Sequence, residues 1–169
     1  MKKVLLFGAL FAFLGLAAYA QDEEKVTDED LAKYANVEVT FDNYVNSKTE
    51  ELKSMILENE IFQGGGRYNE IKAAWDDEAK MTEAKVTEEE KVAYEEVKEF
   101  QASLQGVLKE YKTGLIVDEE ILGAGTYNKV LKATNDDPTI KEKLDNMIAE
   151  MKAKQAAEKA DTTKVTDGK

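Results

Sequence analysis

The sequence predicts an all-α protein, a helical bundle of about five helices with an internal pseudo-repeat. Apolar residues recur at three- and four-residue steps, which is the period of one helix face, and no segment has the alternation typical of a strand. The chain contains one Pro, and 34% of its residues are charged, as expected for long helices with solvated faces. Several segments also recur in the same order about sixty residues later.

The first twenty residues have the pattern of a secretory signal peptide. Lys2 and Lys3 precede an uncharged apolar run, and the Ala-Tyr-Ala that ends at Ala20 fits the small-x-small cleavage rule. We expect cleavage between Ala20 and Gln21 and export to the periplasm or to the outside of the cell. A retained membrane anchor is the alternative, although the apolar run is short for a full span.

A long helix is predicted at the start of the mature chain. Thr27 suits an N-cap, and the acidic residues that follow it are favoured by the helix dipole. We predict that this helix continues to about Phe62, where the glycines of the GGG run end it. Its apolar face comprises Leu31, Tyr34, Phe41, Val45, Leu52 and Met55. A second helix follows, with Tyr68, Ile71 and Trp75 on one face.

Three further helical segments are predicted in the second half of the chain. Thr87 and Glu90 form a capping box for the third helix, and Gly114 is its predicted C-cap. The segment DEEILGAGTYNKVLKAT is a helix bent or broken at its glycines. Asp137 and Pro138 suit the N-cap and first position of the last helix. The apolar positions of these helices include Ala93, Val97, Phe100, Leu104, Tyr111, Ile140, Leu144 and Met151.

The C-terminal residues 152–169 contain almost no large apolar side chain. Such a segment cannot bury enough surface to offset its ordering entropy, so we predict a flexible tail after a helical domain of residues 21–151.

Two tandem units are predicted within that domain, at about 26–85 and 86–150. MILENEIFQGGGRYNEI in the first unit matches LIVDEEILGAGTYNKV in the second. Upstream, VTDEDLAKY matches VTEEEKVAY, and downstream, KAAWDDEAKM matches KATNDDPTIK. Each unit would comprise a long helix, a glycine joint and a shorter helix that carries Tyr-Asn.

The second unit resembles a known family. Its Tyr127-Asn128-x-Val130 and Asp137-Pro138-x-Ile140 resemble the F-N-x-I and D-P-x-L motifs of the exported bacterial family called domain of unknown function 4168. The VTDEDLAKYA opening resembles that family's start as well. The resemblance implies a small, exported, helical protein and carries over no catalytic residue. The first unit departs from the pattern, because Glu78 stands where the second has Pro138.

Charge and composition exclude several functions. The net charge is −12, and loss of Lys2 and Lys3 with the signal peptide would make it −14. A field of this sign repels nucleic acid and anionic lipid surfaces. The chain has no His and no Cys, which removes the commonest general base, the commonest zinc and copper ligands, and any disulfide. We therefore predict no catalytic residue, no cofactor and no metal site.

The GGGRYN stretch has two interpretations. A phosphate-binding loop would require a preceding strand and a G-x-G-x-x-G or Gly-Lys-Ser/Thr pattern, and its one basic residue, Arg67, is not repeated in the second unit. A joint between helices, where glycine tolerates positive φ, fits better.

The repeated pairs Tyr68-Asn69 and Tyr127-Asn128 are the candidate partner-binding residues. The interpretation that the sequence favours for both pairs is structural: each Tyr packs in the core while its Asn hydrogen-bonds to the backbone of the joint. A binding site made by the two pairs is the alternative. Calcium binding is disfavoured, because ATNDDPTIKEKL lacks the Gly and the acidic alternation of an EF-hand loop. Trp75 could form a sugar platform but has the spacing of a core residue.

The sequence therefore predicts an exported, soluble, non-enzymatic protein that binds an unidentified protein partner or helps to maintain the envelope, without stable membrane insertion after cleavage. One alternative is a chaperone-like binder of unfolded exported proteins. A divalent-ion or glycan-binding enzyme is the third.

Overall fold

The computed structural model describes residues 25–166, with side chains up to Glu158. The predicted all-α fold is confirmed over this range, which contains six α-helices and one 3-10 segment and no strand. The predicted signal peptide and its cleavage site lie outside the described residues. The α-helices are α1 (Asp28–Leu57), α2 (Gly66–Ala74), α3 (Glu78–Glu83), α4 (Glu88–Val117), α5 (Ala124–Asp136) and α6 (Pro138–Thr166), and the 3-10 segment is Glu60–Gly65.

Helices α1 and α4 form the frame of the bundle. Each has 30 residues and begins with the predicted N-cap, Thr27 or Thr87, in a capping box with Asp30 or Glu90. The two helices are antiparallel, because the end of α1 packs on the start of α4 and Val37 of α1 packs near the end of α4.

The end of α1 differs from the prediction. The helix ends at Leu57 rather than near Phe62, because the Asn59 side chain accepts a hydrogen bond from the Ile61 amide and starts the 3-10 segment. Gln63, Gly64 and Gly65 then adopt positive φ values of 49°, 75° and 91°. This joint turns the chain so that Phe62 is fully buried.

The predicted C-cap at Gly114 is also wrong. Helix α4 continues three residues further to Val117, and the Asp118 amide donates to the Gly114 carbonyl. The continuation places Leu115 and Ile116 in the core, and this apolar burial outweighs the preference of glycine for a helix end.

The C-terminal boundary differs as well, because residues 152–166 extend α6 where a flexible tail was predicted. The Asn43 amide nitrogen donates to Gln155 Oε1 at 2.7 Å, and Lys152 pairs with Asp42. These contacts hold this part of α6 against α1, and the alanines and lysines of the segment have high helix propensity.

The core consists of three clusters, and each contains residues from both the first half (26–85) and the second half (86–166). Because every cluster is shared in this way, neither half contains a complete core of its own. No buried residue in the described range is polar or charged. The first cluster has Phe62, Tyr68, Ile71, Ala93, Tyr94 and Val97; the second has Leu31, Ala35, Val130 and Leu144; the third has Val37, Leu115, Ile116 and Leu122.

Candidate functional site

The two Tyr-Asn pairs lie at opposite ends of the α1–α4 frame. Tyr68 belongs to the first cluster, and Ile56 near the end of α1 packs against that cluster. Tyr127 packs against Tyr34 near the start of α1. Positions 34 and 56 are about 33 Å apart at 1.5 Å per helical residue. The structure does not bring the pairs together, so one small ligand cannot contact both.

Tyr68 is a core residue of the first cluster. Its ring lies edge-on to Phe62 at a centroid distance of 5.4 Å and 5.3 Å from Tyr94. Its hydroxyl accepts a hydrogen bond from Gln101 Nε2 at 3.4 Å. Trp75 packs on the same Tyr94 ring at 4.3 Å, so it contributes to this cluster as its helical spacing indicated.

Tyr127 makes the corresponding contact at the other end of the frame. It stacks on Tyr34 with a centroid distance of 5.5 Å and an interplanar angle of 14°. Burial raises the pKa of Tyr34, and the neighbouring Glu38 carboxylate and Tyr127 raise it further. Tyr34 on α1 and Tyr94 on α4 are sixty positions apart, which is the offset of the repeat. The tyrosine of each short helix therefore packs on the long helix of the opposite half.

Asn69 and Asn128 are exposed. Within the described part of the chain neither side chain forms a hydrogen bond, so the predicted bond from each Asn to the backbone of its joint is not formed there. The two amides are presented to solvent directly beside packed tyrosines. Both can donate and accept hydrogen bonds to a partner.

The Arg67 guanidinium of the GGGRYN stretch is held by protein groups. Its Nε lies 2.5 Å from Glu90 Oε1 and its Nη2 lies 2.9 Å from Glu90 Oε2. It also donates to Glu70 at 2.9 Å and to the Ala84 carbonyl at 3.0 Å. These bonds lower the pKa of Glu90 to about 2 and raise the pKa of Arg67. A phosphate would have to displace Glu90, so the geometry favours the joint interpretation.

A basic residue of the opposite half also binds the cap of α1. Lys129 Nζ on α5 lies 2.8 Å from Asp30 Oδ2, and Asp30 belongs to the capping box of α1. Burial would raise the pKa of Asp30, but the bonds from Lys129 and Thr27 outweigh it and the pKa is lowered. The first and second halves thus each hold the N-terminus of the other's long helix. The sequence marked Glu90 as a capping residue and gave no indication that Arg67 would bind it.

The described residues contain no group of three or more His, Cys, Asp or Glu side chains arranged to hold an ion. In the segment tested for calcium binding, Asp137 caps α6 and accepts from the Thr139 amide at 2.8 Å.

An open groove of about 360 Å³ lies between α2 and α3. The groove is lined by Glu70, Ala73, Ala74, Lys80, Glu83 and Ala84.

No helix within residues 25–166 is long and apolar enough to cross a bilayer.

Comparison with known proteins gives no relative for this chain. No family model matches it, and neither a curated protein nor a solved structure matches it significantly.

Proposed function

We propose that this chain is an exported, non-enzymatic helical protein that binds a protein partner, or that helps to maintain the envelope through such binding. One observation carries the binding part of the proposal: Asn69 and Asn128 are exposed, and each follows a packed tyrosine. Within the described range no polar or charged residue is buried. The groups whose pKa is shifted belong to helix caps, ion pairs and tyrosine contacts. Catalytic sites usually combine perturbed titratable groups with a recess, and here these groups serve the fold.

The partner-binding residues would be Asn69 and Asn128, and each follows a tyrosine that packs against a neighbouring helix. An exposed amide can bind a partner's backbone without rearrangement, because it gives up no hydrogen bond within the described residues. Tyr68 and Tyr127 would act as supports that fix the position of each amide. The two sites would engage separate parts of a partner, since they lie at opposite ends of the frame.

The chaperone-like alternative would need an exposed apolar cradle. The open groove between α2 and α3 has alanine and charged side chains, which fits that role less well. The exposed large apolar residues of the described range are Leu57, Val92, Val117 and Leu131. A divalent-ion or glycan-binding enzyme comes third.

The internal repeat and the family resemblance belong to the same proposal. Equal long helices sixty residues apart support a duplicated unit, as do two capping boxes and the matching caps Asp77 and Asp137. Duplication would account for the two Tyr-Asn pairs.

Export rests on the predicted signal peptide, and a mature terminus at Gln21 in the exported fraction would test it.

Affinity capture from the envelope fraction tests the binding proposal. The bait is the exported chain, compared with the double variant Asn69→Ala/Asn128→Ala. A matched control replaces two other exposed asparagines, Asn46 and Asn146. We expect one partner to bind the wild type and the control, and to be lost from the test variant. Equal capture by all three baits would remove the Tyr-Asn pairs as the site.

A further inference from the structure

The two halves are joined by a short and strained link. It comprises Ala84, which caps the C-terminus of α3, then Lys85 and Val86, and then Thr87, which caps the N-terminus of α4. Lys85 has φ 51°, in the left-handed region that is costly for a residue with a Cβ. The strain is maintained by local bonds, since the Lys85 amide donates to Thr82 and the Val86 amide to Met81.

The core makes the halves dependent on each other. All three clusters contain side chains from both halves, so separating the halves would expose part of every cluster at once. The surface that fits an exposed first half is a second half with the same sequence. A second copy of the chain, opened in the same way, supplies that surface.

We propose that two copies of this chain exchange halves at the Lys85 link and form a dimer. The first half of one copy then packs on the second half of the other. The contacts of Tyr68 with Tyr94, and of Tyr34 with Tyr127, form between chains with unchanged geometry. The Arg67–Glu90 and Lys129–Asp30 pairs do so as well. The exchange gives up the local bonds at the link and releases the strain at Lys85, which is the condition that favours exchange of this kind.

The glycine joint is a less suitable hinge, although Gln63 also has positive φ. Phe62 and Tyr68 pack edge to face on either side of that joint. Opening there would also break the contact of Phe62 with Tyr68 inside the first half, whereas opening at Lys85 leaves that contact in place. The charge of −12 on each chain opposes association at low ionic strength, so the exchange is measured near physiological salt.

Two substitutions of Lys85 test the proposal in opposite directions. Proline fixes φ near −65° and also restricts Ala84 before it, so Lys85→Pro cannot form the closed link. Glycine adopts positive φ without strain, so Lys85→Gly stabilises the closed link. By light scattering, Lys85→Pro should be a dimer. Lys85→Gly should dimerise at least about tenfold more weakly than wild type, because two links per dimer lose their strain.

Cross-linking identifies which halves are paired. Asp28 and Lys143 are exposed, come from different halves and lie 2.5 Å apart between Oδ1 and Nζ. The chain has no cysteine, so Asp28→Cys/Lys143→Cys with a short bismaleimide reports this contact alone. On a denaturing gel, cross-links should join two chains in the Lys85→Pro background and stay within one chain in the Lys85→Gly background.

A monomeric Lys85→Pro protein would overturn the proposal, and so would a dimer whose cross-links stay within one chain. If Lys85→Pro does not fold, refolding of the Asp28→Cys/Lys143→Cys variant with Lys85 retained decides the matter. Exchange predicts cross-linked dimers after refolding at about 1 mM and monomers after refolding at about 1 μM. Monomers alone at both concentrations would exclude exchange.

Discussion

Arg67 binds Glu90 through two nitrogens, and the same Glu90 carboxylate accepts a hydrogen bond from the Thr87 amide at 2.8 Å. The guanidinium of the first half therefore takes part in capping the long helix of the second half. This pair is largely shielded from solvent, with side chains 16% and 13% exposed. Shielding makes it stronger than the exposed ion pairs elsewhere on the helices.

Replacing Arg67 should therefore destabilise the fold. We expect Arg67→Ala to lower the free energy of unfolding by about 2 kcal/mol, because Glu90 loses its charged donor and keeps little access to water. Denaturant unfolding followed by circular dichroism measures the change. The control is Lys72→Ala, which removes an exposed cation from the same helix. Equal midpoints for both variants would contradict the prediction.

The stability of the protein should fall in acid partly through Glu90. Its pKa is about 2 in the fold, below its ordinary value of 4.5, because Arg67 and Thr87 stabilise the charged form. A carboxyl with a lowered pKa in the fold contributes stability above about pH 4.5, and this contribution is lost as the pH falls towards 2. The difference in melting temperature between wild type and Glu90→Gln should be full at pH 6 and should shrink steadily below pH 4.5. A difference independent of pH would exclude this role.

The tyrosines should matter more to stability than their asparagines. Tyr68 is 6% exposed, and truncating a buried aromatic to Ala costs about 3–5 kcal/mol. Tyr127 is only half-buried, so Tyr127→Ala should cost about 1–3 kcal/mol. Asn69→Ala and Asn128→Ala should change the melting temperature little. Lys129→Ala would be a poor control, because Lys129 binds Asp30.

Adjacent glycines of the joint should respond in opposite ways to alanine. At Gly65, φ is 91° and an added Cβ would lie 2.8 Å from Leu57 Cδ2, so Gly65→Ala should cost at least about 1–2 kcal/mol. Gly66 has helical φ and an added Cβ would meet nothing within 4 Å. Gly66→Ala should therefore be neutral or stabilising by up to about 1 kcal/mol. Melting temperatures of the two variants measure the contrast, and equal losses would contradict it.

Helices α1 and α4 differ near their starts, where α1 has buried apolar residues and α4 has charged ones. Packing of α6 against α1 explains this difference, which the repeat alone does not. Leu31 and Ala35 of α1 are buried in the cluster that α6 completes. Sixty positions later, α4 has Lys91 and Glu95. The short α3 lies at the corresponding point of the first half, and its six residues cannot cover an equal length. Charged residues suit a helix face that no long helix covers.

The sequence by itself determined five of the six α-helices and several of their starts, but it did not predict the short helix α3. The hydrogen bonds of the caps at Thr27, Thr87 and Asp137 join residues at most three positions apart, and the apolar period of a helix is also local. Helix ends were less well determined, because burial of Leu115 and Ile116 carried α4 beyond Gly114.

Only the tertiary structure decided which residues meet across the halves. Tyr68 packs on Tyr94, and Tyr127 packs on Tyr34, at separations of 26 and 93 positions in the chain. The local periodicity predicts that each of these rings faces the core, but it does not predict which ring it contacts. The partner follows from the antiparallel packing of α1 and α4, which is a property of the whole core rather than of any segment.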